Sequence, residues 1–344
     1  MEQWLEHVVA QLHWVPLFLL IAMMLYALSR GADILIDEAV ILSNRWGVPK
    51  VLIGATVVSL GTTTPEAAVS VLAAVQGVAD LALGNAVGSI ICDTGLILGL
   101  AALISPLPLD RTIVERQGWI QLGAGVLLVV ACLPLGSLPT VFASGGRLPL
   151  WVGLLFLLLL LIYLWLSVAW ARSEVMVEND AGEGENPQVL VVLLKLVSGI
   201  IVVVGASTIL IPAVREAALR LHIPPGVIAA TLVAFGTSLP ELVTAVTAAR
   251  RGHGELAIGN VIGADILNVL FVAGASAAVT SGGLPASPFF FRFLFPAMLI
   301  VLVVFRLGIV SSGTSLKRPF GIVLLAVYVA VTVLSYLQQG HGAE

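Results

Sequence analysis

GTTTPE at Gly61 to Glu66 returns as GTSLPE at Gly236 to Glu241, and GNAVGSIICD at Gly84 to Asp93 returns as GNVIGADILN at Gly259 to Asn268. Every position pairs at one constant offset of 175 residues, without a gap, in a chain of 344. The chain is therefore two copies of one unit, and whatever the first copy builds the second must build again. Each copy also sets a proline and then a glutamate, Pro65 with Glu66 and Pro240 with Glu241, in the middle of an apolar stretch. A charge there is costly and rare unless it serves a function such as ion handling.

Composition fixes the surroundings. Hydrophobic residues make up 59 % of the chain and charged ones 10 %, and the mean hydropathy of +1.08 is that of a polytopic membrane protein rather than a soluble one. The net charge of -4 carries no basic cluster, so no nucleic-acid partner is expected. Nothing in the sequence points to a protein partner or a resident cofactor either. Cys92 and Cys132 fall in apolar stretches and read as buried free thiols. The start, MEQWLEH, lacks the basic region of a cleaved signal, so Pro16 onward reads as a retained helix.

Apolar runs of about 20 residues cross a bilayer as helices. Ten are expected: Val15 to Ile36, Val48 to Val75, Leu81 to Ile104, Gly118 to Leu135, Leu150 to Ala171, Val189 to Ile211, Pro225 to Ala249, Leu256 to Val279, Phe289 to Leu307 and Phe320 to Gln338. The one long polar connection, Arg172 to Gln188, separates the copies. Its Glu174, Glu178, Asp180, Glu183 and Glu185 lack the Asp-x-Asp spacing and closing Glu of a calcium loop and read as a solvated linker.

Lysine and arginine set the orientation. The connections after spans one, three, five, seven and nine hold Arg45, Lys50, Arg111, Arg116, Arg172, Arg250, Arg251, Arg306, Lys317 and Arg318; the other side holds mainly Arg147, Arg215, Arg220 and Arg292. The first side is then cytoplasmic, as is the linker, and both termini face out. Five spans per copy is an odd number, so the second copy crosses in the opposite sense. The expected fold is an all-α polytopic membrane protein of ten helices in two inverted five-helix repeats, residues 1–171 and 189–344, joined by the linker 172–188. Such repeats recur in secondary transporters, with the binding site near the midplane.

Pro65 has no N–H and its ring clashes with the carbonyl one turn back, so the Gly61 carbonyl loses its helical partner; Pro240 does the same to Gly236. Free carbonyls inside a membrane are tolerated where they face protein or a polar cavity, and a hard cation such as Ca²⁺ or Na⁺ is what carbonyls, hydroxyls and carboxylates surround together. Thr62 and Glu66 lie four apart, as do Thr237 and Glu241, which sets each pair on one helix face. The bland alternative, a proline kink with a glutamate paired elsewhere, accounts poorly for two copies.

The third and eighth spans add Asn85, Ser89 and Asp93 on one face and Asn260, Ala264 and Asn268 on the matching face. Gly84 with Gly88, and Gly259 with Gly263, read as packing glycines. Asp265 lies about 60° round the helix from Asn268, which leaves three readings open: bordering the site, lining an access path, or pairing with a distant cation. Arg30 and Asp33 are one turn apart and read as an interface pair.

These paired GT-x-x-PE and GN-x-x-G segments resemble the sodium/calcium exchangers of the cation/calcium antiporter superfamily, in its prokaryotic branch, across essentially the whole chain. The resemblance implies antiport of Ca²⁺ against Na⁺ by alternating access in a plasma membrane, the inner membrane of a prokaryote, with helices one and six sliding. It implies Glu66 and Glu241 as central ligands, assisted by Thr62, Thr63, Thr237 and Ser238, by carbonyls around Ser59 and Ala234, and by Ser89, Asp93 and Asn268. One departure stands out: the family usually has Asn on helix three and Asp on helix eight, whereas this chain has Asp93 and Asn268. The acid has changed copies and the count of central carboxylates stays at three. The hydroxyl the family often has at Ala264 is missing, which bears on the number of Na⁺ sites.

Three carboxylates around one site cannot all stay charged when it is empty, while Ca²⁺ removes two of the charges and three Na⁺ remove all of them, so the fillings compete. H⁺ or K⁺ in the coupling role is the nearest alternative. An intramembrane enzyme is disfavoured because His7, His13, His222, His253 and His341 lie outside the helix centres and no HExxH motif occurs. A channel is disfavoured because so deep a site binds too tightly for fast conduction.

Overall fold

The computed structural model describes residues 2–109, 111–134, 136, 138–174, 188–221 and 236–340. Among them, eight helices are long and apolar enough to cross a membrane: Trp14–Trp46, Ala79–Ile104, Thr112–Cys132, Leu150–Ala171, Val189–Arg220, Gly254–Val279, Phe290–Ser311 and Arg318–Ser335. Lys50–Thr62 and Thr64–Val75 form a ninth, bent by 45°. Leu239–Arg250 is the described part of the expected seventh span; residues 225–235 of that span, and residues 175–187 of the linker, lie outside the described residues. The fold is an all-α membrane architecture, since helices keep backbone hydrogen bonds internal where lipid supplies none.

Three spans are longer than hydropathy alone indicates. Span one continues past Ile36 to Trp46, where Gly47 at φ 62° returns its N–H to Asn44 and Ser43 and closes the helix. The added turns are charged, but the charges are matched: Arg251 meets Asp37 at 2.6 Å and Asp33 at 3.4 Å, and Lys195 of span six meets the buried Glu38 at 3.3 Å. Arg30 also lies 3.8 Å from Asp33. Span six runs through Pro212 to Arg220. Span four begins at Arg111 rather than Gly118, and Glu115 in that first stretch takes Arg306 of span nine at 3.0 Å.

Packing brings span two against span eight at backbone distance. A methyl on Gly54 would lie 2.6 Å from the Leu256 carbonyl, and one on Gly263 would lie 2.6 Å from Ser59 Oγ, so glycine is what permits the approach. The main core draws mostly on spans two, three, four, eight and nine, and also takes in Leu35, Ile36, Ala39 and Leu42 of span one and Val192 and Leu196 of span six. Spans one and six enclose a separate apolar cluster of Leu28, Ala32, Val203, Ala206 and Leu210. Two short antiparallel strand pairs tie the halves together, Leu107–Pro108 with Ser315–Leu316 and Gly146–Leu148 with Leu284–Ala286. Cys92 and Cys132 are buried free thiols.

Candidate ion-binding site

Proline places the two glutamates. Span two stops at Thr62 and restarts at Thr64, with Pro65 in the first turn of the new helix, where no N–H is needed. Across the break Thr63 N–H still reaches the Ser59 carbonyl at 2.8 Å, and Thr62 Oγ1 shares that carbonyl at 3.4 Å. Leu239–Arg250 likewise opens with Pro240 in its first turn. Glu66 and Glu241 therefore both stand in the first turn of a helix, where the backbone dipole favours an anion. Both side chains are fully buried.

The copies then cross-link through their polar side chains. Thr62 Oγ1 donates to Asn260 Oδ1 at 3.4 Å, and Thr237 Oγ1 donates to Asn85 Oδ1 at 3.1 Å. These bonds join equivalent residues at the 175-residue offset, each from a threonine of one copy to an asparagine of the other. Thr63 Oγ1 donates to Glu241 Oε1 at 3.3 Å. Asn85 is held in turn by its Nδ2, which donates to Ser70 Oγ at 2.9 Å and to the Glu66 carbonyl at 3.3 Å.

Asp93 and Asn268 lie at the start of two π-helical turns, Cys92–Ile97 and Asn268–Ala273. Such turns inside α-helices are frequent at functional sites. Both oxygens of Glu66, both of Asp93, Glu241 Oε2 and both polar atoms of Asn268 are buried without a hydrogen-bond partner. Buried polar atoms are rarely left so. Ser59, Thr62, Thr63, Ser89 and Ser238 are buried beside them and Thr237 is half-buried. Ser238 lies next to Asp93 short of hydrogen-bond geometry. Glu66, Glu241 and Asp93 are near enough to repel one another. Among the described residues no three acidic, histidine or cysteine side chains converge to hold a metal by themselves. Ala234 lies outside the described residues.

Asp265 takes a partner that the sequence did not indicate. It is buried, and its Oδ2 accepts hydrogen bonds from Thr94 Oγ1 and, at 2.5 Å, from Gln121 Nε2. Gln121 also reaches Thr94 Oγ1 at 3.1 Å. One turn along span four, Gln117 accepts from Tyr163 OH at 3.1 Å. Gln117 and Gln121, four apart and continuing inward from the charged start of span four at Arg111 to Arg116, were the available signal for this polar seam.

The model of the family described as sodium/calcium exchanger protein matches residues 16–169 and 191–337, one stretch in each copy. The sodium/calcium exchanger MaX1 of Methanosarcina acetivorans is 31 % identical, across 93 % of this chain and 98 % of that protein. The inner membrane protein YrbG of Escherichia coli is 32 % identical, across 89 % of this chain and 92 % of that one. Among solved structures, the sodium-calcium exchanger NCX_Mj, soaked with 10 mM Na⁺ and zero Ca²⁺, superposes with a TM-score of 0.77 at 28 % identity, over 95 % of this chain and 98 % of that chain.

Proposed function

We propose, from the premise that this chain belongs to the sodium/calcium exchanger family, that it moves Ca²⁺ against Na⁺ by alternating access to one site between the two copies. The observation that carries the reading is the pair of buried glutamates, Glu66 and Glu241, set in the first turns of two proline-opened helices at equivalent positions. Around them, Asp93 and Asn268, the hydroxyls of Thr62, Thr63, Thr237, Ser238 and Ser89, and carbonyls at Ser59 and Ala234 would complete an oxygen cage of the kind hard cations take. The unpartnered buried oxygens of Glu66, Asp93 and Glu241 support that assignment, because a bound cation satisfies them.

The copies, residues 1–171 and 189–344, are read as inverted repeats joined by a cytoplasmic linker at 172–188. The reciprocal Thr62–Asn260 and Thr237–Asn85 bonds are what a two-fold relation between them would produce. Both termini are placed outside the inner membrane of a prokaryote by the distribution of basic residues. Spans one and six, which share a cluster apart from the main core, are the pair that would slide to switch access.

Radioactive Ca²⁺ uptake into proteoliposomes under imposed Na⁺, K⁺ and pH gradients tests this. Uptake driven by an outward Na⁺ gradient alone is the expected result. Uptake that needs K⁺, or that follows the pH gradient without Na⁺, would transfer the coupling role to those ions.

A further inference from the structure

Asp93, like Glu66, gets no support through its own side-chain oxygens. Its two oxygens have no hydrogen-bond partner, and Glu241 and Asp265 both repel it. Its place therefore depends on the backbone beneath it, the π turn Cys92–Ile97. A π turn is held by i to i+5 bonds, as from Leu98 N–H to the Asp93 carbonyl, and is weaker in itself than an α turn. Something outside the helix must fix it.

The neighbour of Asp93 in the chain supplies that hold. Thr94 donates to Asp265 Oδ2 on span eight, and Gln121 on span four bonds both Thr94 Oγ1 and the same Asp265 oxygen. Three spans meet at one carboxylate oxygen, and all three groups are buried. No ion pair joins Asp265 to a lysine or arginine among the described residues; its Oδ2 accepts both hydrogen bonds while its Oδ1 is buried without a partner, and a dry site strengthens such bonds. Moving Thr94 moves Asp93 with it, because consecutive residues share a peptide plane.

We propose that Asp265 is a positioning residue of the ion site: through Thr94 and Gln121 it holds Asp93 in register with Glu66 and Glu241, and it is not itself an ion ligand. This rests on the exchange reading above. An amide oxygen accepts the same two bonds in the same volume, so Asp265→Asn should keep the brace, whereas Asp265→Ala or Thr94→Val removes it.

The test uses the full-length protein in proteoliposomes, with the half-saturating Ca²⁺ concentration and the maximal rate of Na⁺-driven uptake measured separately. Wild-type protein must first show that uptake; its absence would sink the exchange reading rather than this one. Asp265→Asn is expected within about twofold of wild type, and Asp265→Ala and Thr94→Val to raise half-saturating Ca²⁺ about tenfold, the scale of losing a buried hydrogen bond. The double change should be no worse than either single one, as for residues acting as a unit. Thr94→Ser should restore affinity, and serves in place of Asp265→Ala if that variant fails to fold. An Asn variant as damaged as Ala would make Asp265 an ion ligand, and additive or absent effects of Thr94→Val would also overturn the proposal.

Discussion

Thr63 Oγ1 lies 3.3 Å from Glu241 Oε1, so a hydroxyl of the first copy holds a carboxylate of the second. Glu66 has no such support, since both its side-chain oxygens are without a hydrogen-bond partner. The two glutamates occupy equivalent positions but unequal surroundings.

Glu66→Gln and Glu241→Gln each remove a central charge and keep the volume. Both should abolish Na⁺-driven Ca²⁺ uptake while the purified protein stays monodisperse. Retained uptake in either variant would remove that residue from the site.

Acid should weaken Ca²⁺ binding. Ca²⁺ binds carboxylates in their deprotonated form, so binding releases protons and protons displace Ca²⁺. Half-saturating Ca²⁺ should therefore rise as pH is lowered from about 8 to about 5.5. His253, between spans seven and eight, does not explain such a change near neutrality. Partial burial, with Lys50 and Arg251 nearby, pushes its imidazole below the ordinary range. A Ca²⁺ affinity that ignores pH would count against carboxylate ligands.

Asp93→Asn should cripple exchange, because the proposed site takes its third acid from span three. Adding Asn268→Asp to that variant should recover part of the flux by returning the carboxylate count to three. Uptake by the single variant at the wild-type rate would reject the assignment of Asp93.

Gly263→Val should cost stability rather than chemistry alone. Its Cβ would press on Ser59 Oγ at 2.6 Å and on the Ala55 backbone, and overpacking of this kind costs about 1–3 kcal/mol. The melting midpoint in detergent should fall by several degrees. An unchanged midpoint would mean that spans two and eight separate easily.

Much of this architecture is legible in the sequence because the copied motif and the apolar runs are strong local signals. Pro65, Pro240 and the paired glutamates announce the breaks and the buried charges directly. Span one was read short at Ile36 because Asp33, Asp37 and Glu38 lower local hydropathy; their partners Arg251 and Lys195 lie more than 150 residues away in the chain. The π turns at Asp93 and Asn268 leave no mark in composition, since they depend on how neighbouring helices pack. Asp265 was ambiguous for the same reason: its angle round the helix is calculable, but Gln121 comes to it only when span four folds alongside.

The separate cluster at Leu28, Ala32, Val203, Ala206 and Leu210 joins one half of span one to one half of span six, while Leu35 to Leu42 and Val192 to Leu196 in their other halves pack into the main core. Local opening follows contiguous packed blocks, and its free energy rises with the apolar contacts each block must break. In deuterium exchange, amides around Leu28 to Ala32 and Val203 to Leu210 should then trade as one set, ahead of spans two, three and eight. Both strand pairs bind segments outside spans one and six, so this looser block can open without unfastening the halves from each other.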